Sequence, residues 1–132
     1  MNKSPKTIGL IGGIGPESTV DYYRLIIRGY RKVFQTESYP QVLINSIDMT
    51  EMMEFINSNN YSGLVGLFHK ELEKLARAGA DLAVIAANTP HIVFDSIRKD
   101  SPVELLSIVE ETRKRAQKLG TCRLGLIGTK FT

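Results

Sequence analysis

Short apolar runs alternate along the chain with longer stretches in which apolar residues recur every three or four positions. The short runs predict five strands, over residues 7–12, 41–47, 81–87, 103–108 and 123–128. The longer stretches predict helices over residues 16–34, 50–56, 61–79, 88–97 and 109–119. Alternation of this kind is typical of a parallel sheet with helices on both faces. The pattern therefore predicts an α/β fold.

Two of the predicted helices have a regular apolar face. In the first helix, apolar residues at steps of three and four predict a buried face formed by Val20, Tyr23, Ile27, Tyr30 and Phe34. In the third, the same spacing predicts that Leu64, Phe68, Leu72 and Leu75 are buried, and Gly79 follows as an expected helix C-cap. The fifth strand is different, because the chain ends four residues after Gly128, before a crossover helix could cover that strand. We therefore expect a truncated chain.

Composition narrows the possible partners. The 132 residues fit one compact unit, and 17 basic residues against 14 acidic ones give a net charge of only +3. The basic residues are scattered, and the densest stretch, residues 113–118, follows Glu110 and Glu111 as on a solvated helix face, so nucleic acid is not an expected partner. A single cysteine, Cys122, excludes a disulfide framework and favours a reducing compartment. No signal peptide and no apolar run of about 18 residues is present, so we expect a cytoplasmic protein without a membrane partner.

Candidate chemistry begins where the first strand ends, at residues 12–19. Glycines there allow backbone N–H groups to approach an anion, and the following helix N-terminus favours negative charge. Gly13 and Gly15 have the G-x-G spacing of a dinucleotide fingerprint, but Ser18 replaces its third glycine and no acidic residue follows at the expected distance. A carboxylate or phosphate site is the favoured interpretation, and a tight turn without a ligand is the alternative.

Two further strand ends carry polar residues. Asn88, Thr89 and His91 follow the third strand, where they could bind a carboxylate and move or hold a proton, or could simply cap the next helix. Residues 128–132 add glycine, hydroxyls and a cation after the fifth strand, or form an ordinary turn. The sequence contains no Ser-His-Asp order, no metal-ligand spacing and no P-loop lysine motif.

Together these three segments resemble the aspartate/glutamate racemase family over essentially the whole chain. Residues 9–19, followed by Tyr22, Tyr23, Arg24 and Leu25, are similar to the opening segment of that family. Residues 88–91 resemble its Cys-Asn-Thr-x-His signature, and residues 128–132 resemble the segment that opens its second half. The resemblance implies two flavodoxin-like lobes, with residues 1–100 as the first lobe and residues 101–132 as the start of the second.

The resemblance also implies a mechanism and a set of site residues. Members use no pyridoxal phosphate, metal or nucleotide, usually act as homodimers, and place one cysteine from each lobe on opposite sides of the substrate α-carbon. One thiolate removes the α-proton while the other thiol returns a proton to the opposite face. When the family's roles are carried over by position, Asn88 and Thr89 would bind the α-carboxylate, helped by the Gly13–Gly15 turn, Ser18, Thr129 and Thr132. His91 would be a nearby support residue.

Two positions depart from the family pattern. Ala87 stands where the first cysteine is expected, and a methyl group cannot transfer a proton. Cys122 precedes the fifth strand and is expected to be structural, while the second family cysteine would lie in a stretch that this chain does not contain. After the second strand, residues 46–52 lack the arginine that some members use to hold a side-chain carboxylate, and Asp48 and Glu51 in that stretch would repel an acidic substrate side chain.

The sequence therefore leaves three functions open. The first is a racemase in which another residue or a water replaces the first thiol. The second is a decarboxylase or lyase of the same superfamily that uses one cysteine to protonate a carbanion. The third is a non-catalytic protein that binds an amino acid or carboxylate. In each case we expect the 132-residue chain alone to be inactive, because the opposite wall of the cleft is absent.

Overall fold

The computed structural model describes residues 6–128 and residue 130. Its strands are β1 (Ile8–Gly12), β2 (Val42–Ser46), β3 (Leu82–Ile85) and β4 (Glu104–Leu106). Its α-helices are α1 (Pro16–Phe34), α2 (Met49–Asn57), α3 (Tyr61–Arg77), α4 (Phe94–Lys99) and α5 (Ile108–Lys118), and a 3-10 turn (Thr89–Val93) precedes α4. The predicted order of these elements is confirmed through α5.

The four strands form one parallel sheet in the order β2-β1-β3-β4. Ile8 of β1 is in register with Val42 of β2 and Leu82 of β3, and Leu82 is in register with Glu104 of β4. All four strands therefore end at the same edge of the sheet. This arrangement confirms the predicted α/β fold with a parallel sheet.

The main core lies between one face of the sheet and helices α2, α3 and α4. Ile11, Ala83, Ile85 and Leu105 project into it from the strands, and the four predicted apolar positions of α3 are at most 3% exposed. Helix α3 ends as predicted, because Gly79 has a φ of 95° and the Ala80 N–H donates to the Leu75 carbonyl at 3.0 Å, as in a Schellman motif. The sequence pattern of α3 thus gave a correct account of its packing.

The predicted buried face of α1 is wrong at three of its five positions. Val20 is 48% exposed, Tyr23 43% and Phe34 63%, and only Ile27 and Tyr30 of that set are half-buried. Thr19 is buried instead, and Tyr22 and Ile26 are half-buried. The Gly13 N–H donates to Thr19 Oγ1 at 3.0 Å, so Thr19 faces the turn after β1. Positions 19, 22 and 26, which are spaced by three and four, therefore face the sheet.

On that second face, the sheet is only partly covered. An apolar trough of about 720 Å³ runs between α1 and α5, with Leu82, Val84 and Leu106 at its floor. Helix α5 exposes its basic stretch, residues 113–115 and 117–118, as the sequence predicts for a solvated face. Of the helices in the described part of the chain, none is both long enough and apolar enough to cross a membrane.

The predicted fifth strand is not formed. Residues 121–128 have no regular secondary structure, and Leu124 and Ile127 are 69% and 99% exposed. A strand needs a neighbour to accept its backbone hydrogen bonds, and no strand of the described sheet lies beside this segment. The division into lobes at residue 100 stays a prediction, although β4 pairs with β3 in the first sheet.

Candidate functional site

The exits of β1 and β3 meet at the centre of the sheet edge. These strands are neighbours, and their pairing continues one step further because the Ala86 N–H donates to the Ile11 carbonyl at 2.9 Å. Ser18 Oγ lies 3.0 Å from the carbonyl oxygens of both Gly15 and Ala86. A hydroxyl has one proton, so it can donate to either carbonyl. Ser18 thus connects the two strand exits that the sequence singles out.

The turn after β1 can only be built from glycine. Gly13 has a φ of 84°, and a Cβ placed there would collide with the Ile47 carbonyl, while one placed on Gly12 would collide with the Thr19 side chain. The Ile47 N–H donates to the Gly12 carbonyl at 2.9 Å, so the turn is tied to the exit of β2 as well. The Gly13 N–H is already used by Thr19. Gly13 therefore shapes the turn and has no free N–H for a ligand.

Other donors at this turn are unpaired. The N–H groups of Gly15, Glu17 and Ser18 make no hydrogen bond to any of the residues that the structure describes. They lie at the N-terminus of the 19-residue helix α1, where the helix dipole favours negative charge. Free N–H groups and a partial positive charge together suit a carboxylate oxygen.

Asn88 and Thr89 lie opposite this turn, at the exit of β3. Asn88 precedes the 3-10 turn, but its side chain makes no capping hydrogen bond, so the simple capping alternative does not account for it. Neither the Asn88 amide nor the Thr89 hydroxyl has a hydrogen-bond partner among the described residues, and Asn88 is exposed. Both side chains are therefore available to a ligand.

An open cavity of about 660 Å³ joins these groups. Its polar lining comes from both exits and from α5: Glu17, Ser18, Tyr22, Asn88, Thr89 and Thr112. Gly15, Ala87 and Gly128 also line it, so three predicted segments contribute. Burial raises the pKa of Tyr22 above its usual value, which keeps its phenol neutral at physiological pH. Glu17, Tyr22 and Thr112 received no role from the sequence, and no motif marked Thr112.

His91 lies behind this wall and is not part of the lining. Its Nδ1 is 2.9 Å from the Ala87 carbonyl oxygen, and because a carbonyl can only accept, Nδ1 carries the proton. Its ring stacks on Phe94 with centroids 4.7 Å apart, and Nε2 is buried without a partner among the described residues. Burial lowers the pKa of His91, and the nearby Arg98 acts in the same direction. His91 is thus a neutral ring that holds the backbone of Ala87.

Two larger cavities do not lie between the exits of β1 and β3. A cavity of about 800 Å³ follows the second half of α1 and is lined by Arg24, Arg28 and Arg31, and the apolar trough lies between α1 and α5. Neither includes the exit of β3, and neither joins the predicted polar residues. We therefore place the candidate site in the smaller cavity between Ser18 and Asn88.

The remaining predicted residues separate into two groups. Thr129 and Thr132 lie outside the described residues, and their predicted role is not addressed by the structure. Cys122 is exposed, its Sγ lies 3.6 Å from the Gly120 carbonyl oxygen, and it does not line the cavity. Among the residues described, no group of three His, Cys, Asp or Glu side chains could hold a metal ion.

Comparison with known proteins gives concordant matches. The family described as Asp/Glu/Hydantoin racemase matches residues 11–132. The broad specificity amino-acid racemase RacX of Bacillus subtilis is 28% identical over an alignment of 129 residues, and the match covers 86% of this chain and 54% of RacX. The chain thus spans about half the length of this relative.

Two solved structures share the fold. A Yersinia pestis protein assigned as an Asp/Glu racemase has a TM-score of 0.80 at 29% identity. An aspartate racemase homologue from Pyrococcus horikoshii OT3 has a TM-score of 0.76 at 38% identity. In each case the match covers 87% of this chain and 50% of the other.

Proposed function

This chain belongs to the Asp/Glu/hydantoin racemase family and has the α/β fold of its solved relatives, and on that premise we propose that it is the substrate-binding part of an amino-acid racemase. One observation carries the proposal. The Ser18 hydroxyl joins the exits of β1 and β3, so that free N–H groups on one side and Asn88 and Thr89 on the other line one cavity.

The substrate's α-carboxylate is the group that this cavity suits. The Asn88 amide and the Thr89 hydroxyl can donate to one carboxylate oxygen, and the free N–H groups of Gly15 and Ser18 can donate to the other. When the α-proton leaves, negative charge spreads onto these oxygens. Donors fixed by backbone geometry stabilise that charge without having to reorganise during the reaction. The site would therefore lower the barrier to carbanion formation as well as bind the substrate.

Racemization needs a group that can transfer a proton on each face of the substrate α-carbon, and Ala87 cannot serve one of these faces. Ala87 lines the cavity at the position of the family's first cysteine, and its methyl cannot exchange a proton. We propose cysteine-based proton transfer by a thiol from the second half found in relatives, with a water or another residue serving the Ala87 face. His91 would act as a positioning residue, because its bond to the Ala87 carbonyl fixes the wall that carries Asn88.

Several properties of the whole protein belong to the same proposal. We propose that it needs no pyridoxal phosphate or metal, acts as a homodimer, and works in the cytoplasm, where cysteine thiols stay reduced. The proposed substrate is a free amino acid.

The missing thiol also favours a second candidate. No cysteine lines the cavity among the described residues, which is what a binding protein without turnover would show. Such a protein would keep the carboxylate donors and lose α-proton exchange. A one-cysteine decarboxylase or lyase would instead release carbon dioxide or another fragment without inverting the α-carbon.

The test is α-proton exchange in deuterium oxide, followed by mass spectrometry and chiral chromatography over a panel of amino acids. It should use this chain joined to the second half found in its relatives, with the 132-residue chain as a control that we expect to be inactive. Exchange with inversion supports the racemase. Loss of carbon dioxide without inversion identifies the lyase, and binding without either reaction identifies the binding protein.

A further inference from the structure

Glu17 carries the only charged side chain among the described residues that line the cavity. The other polar lining groups are hydroxyls, the Asn88 amide and the neutral phenol of Tyr22. A carboxylate at this position is unexpected in a pocket whose other groups suit a substrate carboxylate, because two like charges repel. Its position therefore calls for an explanation beyond the binding of that anion.

The side chain of Glu17 is unpaired. It makes no hydrogen bond and no ion pair with any residue in the described part of the chain. Its Oε2 lies 3.8 Å from the place that a Cβ on Gly15 would occupy, so the carboxylate folds back over the turn at the cavity. It is exposed, and a ligand could reach it from the cavity.

A favourable interaction with the helix dipole is one reason for an acidic residue in the first turn of α1. The same reason applies to Glu51 in α2 and to Glu111 in α5, which do not line this cavity. The dipole explains why an acid is tolerated at position 17. It does not explain why the side chain turns toward the cavity.

We propose that Glu17 binds the α-ammonium group of the substrate, and that the site therefore selects zwitterionic amino acids over hydroxy acids and simple carboxylates. The inference rests on the proposed function, since it assumes that Asn88 and Thr89 bind the α-carboxylate. In an amino acid the two charged groups are attached to the same carbon. A pocket with hydrogen-bond donors at both strand exits and one carboxylate, that of Glu17, offers a partner to each of the two charges.

Charge also limits which side chains the site accepts. An aspartate or glutamate substrate carries a second carboxylate, and no lysine or arginine lines the cavity among the described residues to bind it. Glu17 would repel that group as well. The wall of the site that this chain provides therefore favours a neutral side chain.

Binding, rather than proton transfer, is the role that fits the exposure of Glu17. Removing an α-proton requires a strong base, and an exposed, hydrated carboxylate is a weak one. An ion pair with an ammonium group needs only charge and reach. The expected contribution is modest, since the pair forms in contact with water.

The test compares alanine with lactate, which have the same shape but carry an ammonium and a hydroxyl group respectively. Their binding to the 132-residue chain is measured from the backbone amide shifts of Asn88 and Thr89 by NMR. We expect alanine to bind more tightly than lactate, and Glu17→Gln to weaken alanine roughly three- to fivefold without weakening lactate, whose carboxylate Glu17 can only repel. Glu73→Gln is the matched control. Glu73 is exposed on α3, so this substitution removes the same charge far from the cavity.

The outcomes separate the two proposals. If both ligands bind and Glu17→Gln does not change their ratio, the ammonium role is overturned while carboxylate binding stands. If neither ligand shifts Asn88 or Thr89, both the carboxylate site and the role of Glu17 are overturned. A selective loss of alanine affinity in Glu17→Gln, absent from Glu73→Gln, supports the proposal.

Discussion

Ser18 Oγ lies 3.0 Å from the Ala86 carbonyl oxygen, across a sequence separation of 68 residues. The same hydroxyl lies 3.0 Å from the Gly15 carbonyl oxygen, so its single proton is used within the protein. Ser18 can therefore accept a hydrogen bond from a ligand but cannot donate one to a carboxylate through its side chain. Its predicted contribution to substrate binding is then limited to its backbone N–H and to the position of the β3 exit.

Replacing Ser18 with alanine should loosen the connection between the two strand exits. We expect a loss of about 0.5–1.5 kcal/mol in the free energy of unfolding, the usual contribution of one hydrogen bond. The backbone amide shifts of Ala87 and Asn88 should change as well, because the wall that carries them is no longer held. Chemical denaturation and an NMR amide spectrum measure the two effects.

Ser62→Ala is the control for that variant. Ser62 is also in the first turn of a helix, α3, but its side chain makes no hydrogen bond to a described residue. We expect its unfolding free energy to stay within about 0.5 kcal/mol of the original protein, as for most surface substitutions. Equal losses in the two variants would argue against a role of Ser18 in joining the strands.

Gly13→Ala and Gly79→Ala should differ in stability although both residues have a positive φ. A Cβ on Gly79 meets no atom within 4 Å, so its only cost is backbone strain, about 1 kcal/mol. A Cβ on Gly13 also collides with the Ile47 carbonyl, so we expect a loss of more than about 2 kcal/mol or failure to fold. Thermal unfolding measures both, and similar losses would contradict the close approach at Gly13.

Hydrophobic period predicted packing well in α3 and badly in α1, and the reason lies in the two sequences. Only one rotation of helix α3 about its axis buries all of its regularly spaced apolar residues, Leu64, Phe68, Leu72 and Leu75. In α1, apolar side chains occur around much of the helix, so period alone could not choose between Tyr23 and Tyr22 as the inner residue. The hydrogen bond from the Gly13 N–H to Thr19 Oγ1 goes with the observed rotation, and it is a local contact that no period describes.

The position of the site was predictable, but the role of each side chain was not. Parallel strands end at one edge of a sheet, so polar residues after β1 and β3 had to lie close together. Whether a polar side chain binds the backbone or faces a cavity depends on its rotamer. Ser18 binds the backbone and Glu17 faces the cavity, although only Ser18 was predicted to bind the substrate.

Glu71 should make stability depend on acid pH. Burial acts to raise its pKa, but hydrogen bonds from Lys74 and Asn45 outweigh that effect, and the pKa of Glu71 is lowered from 4.5. A lowered pKa in the folded state means that the contribution to stability is present above pH 4.5 and is lost as the pH falls through the folded-state pKa. We expect Glu71→Gln to lose about 1 kcal/mol at pH 7.

That difference should shrink when unfolding is repeated in acid. Below its folded-state pKa the wild-type carboxyl is protonated, and it then resembles the amide of the variant. Urea denaturation at pH 7 and at pH 3 provides the comparison. A stability difference that stays constant over this range would show that the charge of Glu71 is not what stabilises the contact with Asn45.

His91 should produce a second pH dependence, at higher pH. Burial lowers the pKa of His91 from 6.5, so the folded state favours the neutral ring. The unfolded chain therefore takes up a proton first, and stability is lost as the pH falls below 6.5. His91→Phe can still stack on Phe94, and it should remove this pH dependence. At pH 8 the variant should lose about 1 kcal/mol of unfolding free energy, because the hydrogen bond to the Ala87 carbonyl is gone.

The comparison of the wild type with His91→Phe has an internal control in the second histidine of the chain. The chain's other histidine, His69, is present in both proteins, with its Nε2 3.0 Å from the Ile97 carbonyl oxygen, so the two proteins differ only at position 91. Denaturation at intervals from pH 8 to pH 5 gives the two curves. Parallel curves would mean that His91 has the same protonation in the folded and unfolded states over this pH range, which would contradict the prediction.

Ala87→Cys should place a thiol in the cavity, beside Asn88. The experiment uses a Cys122→Ser background, because Cys122 is exposed and would react with any alkylating reagent. We expect iodoacetamide to modify the new cysteine, since Ala87 lines an open cavity, and we expect alanine or acetate at high concentration to slow that reaction by occupying the carboxylate donors. Mass spectrometry against time gives the rate. If the thiol reacts equally fast with and without ligand, the bound carboxylate does not lie near residue 87. There would then be no geometric reason to place residue 87 beside one face of the substrate α-carbon.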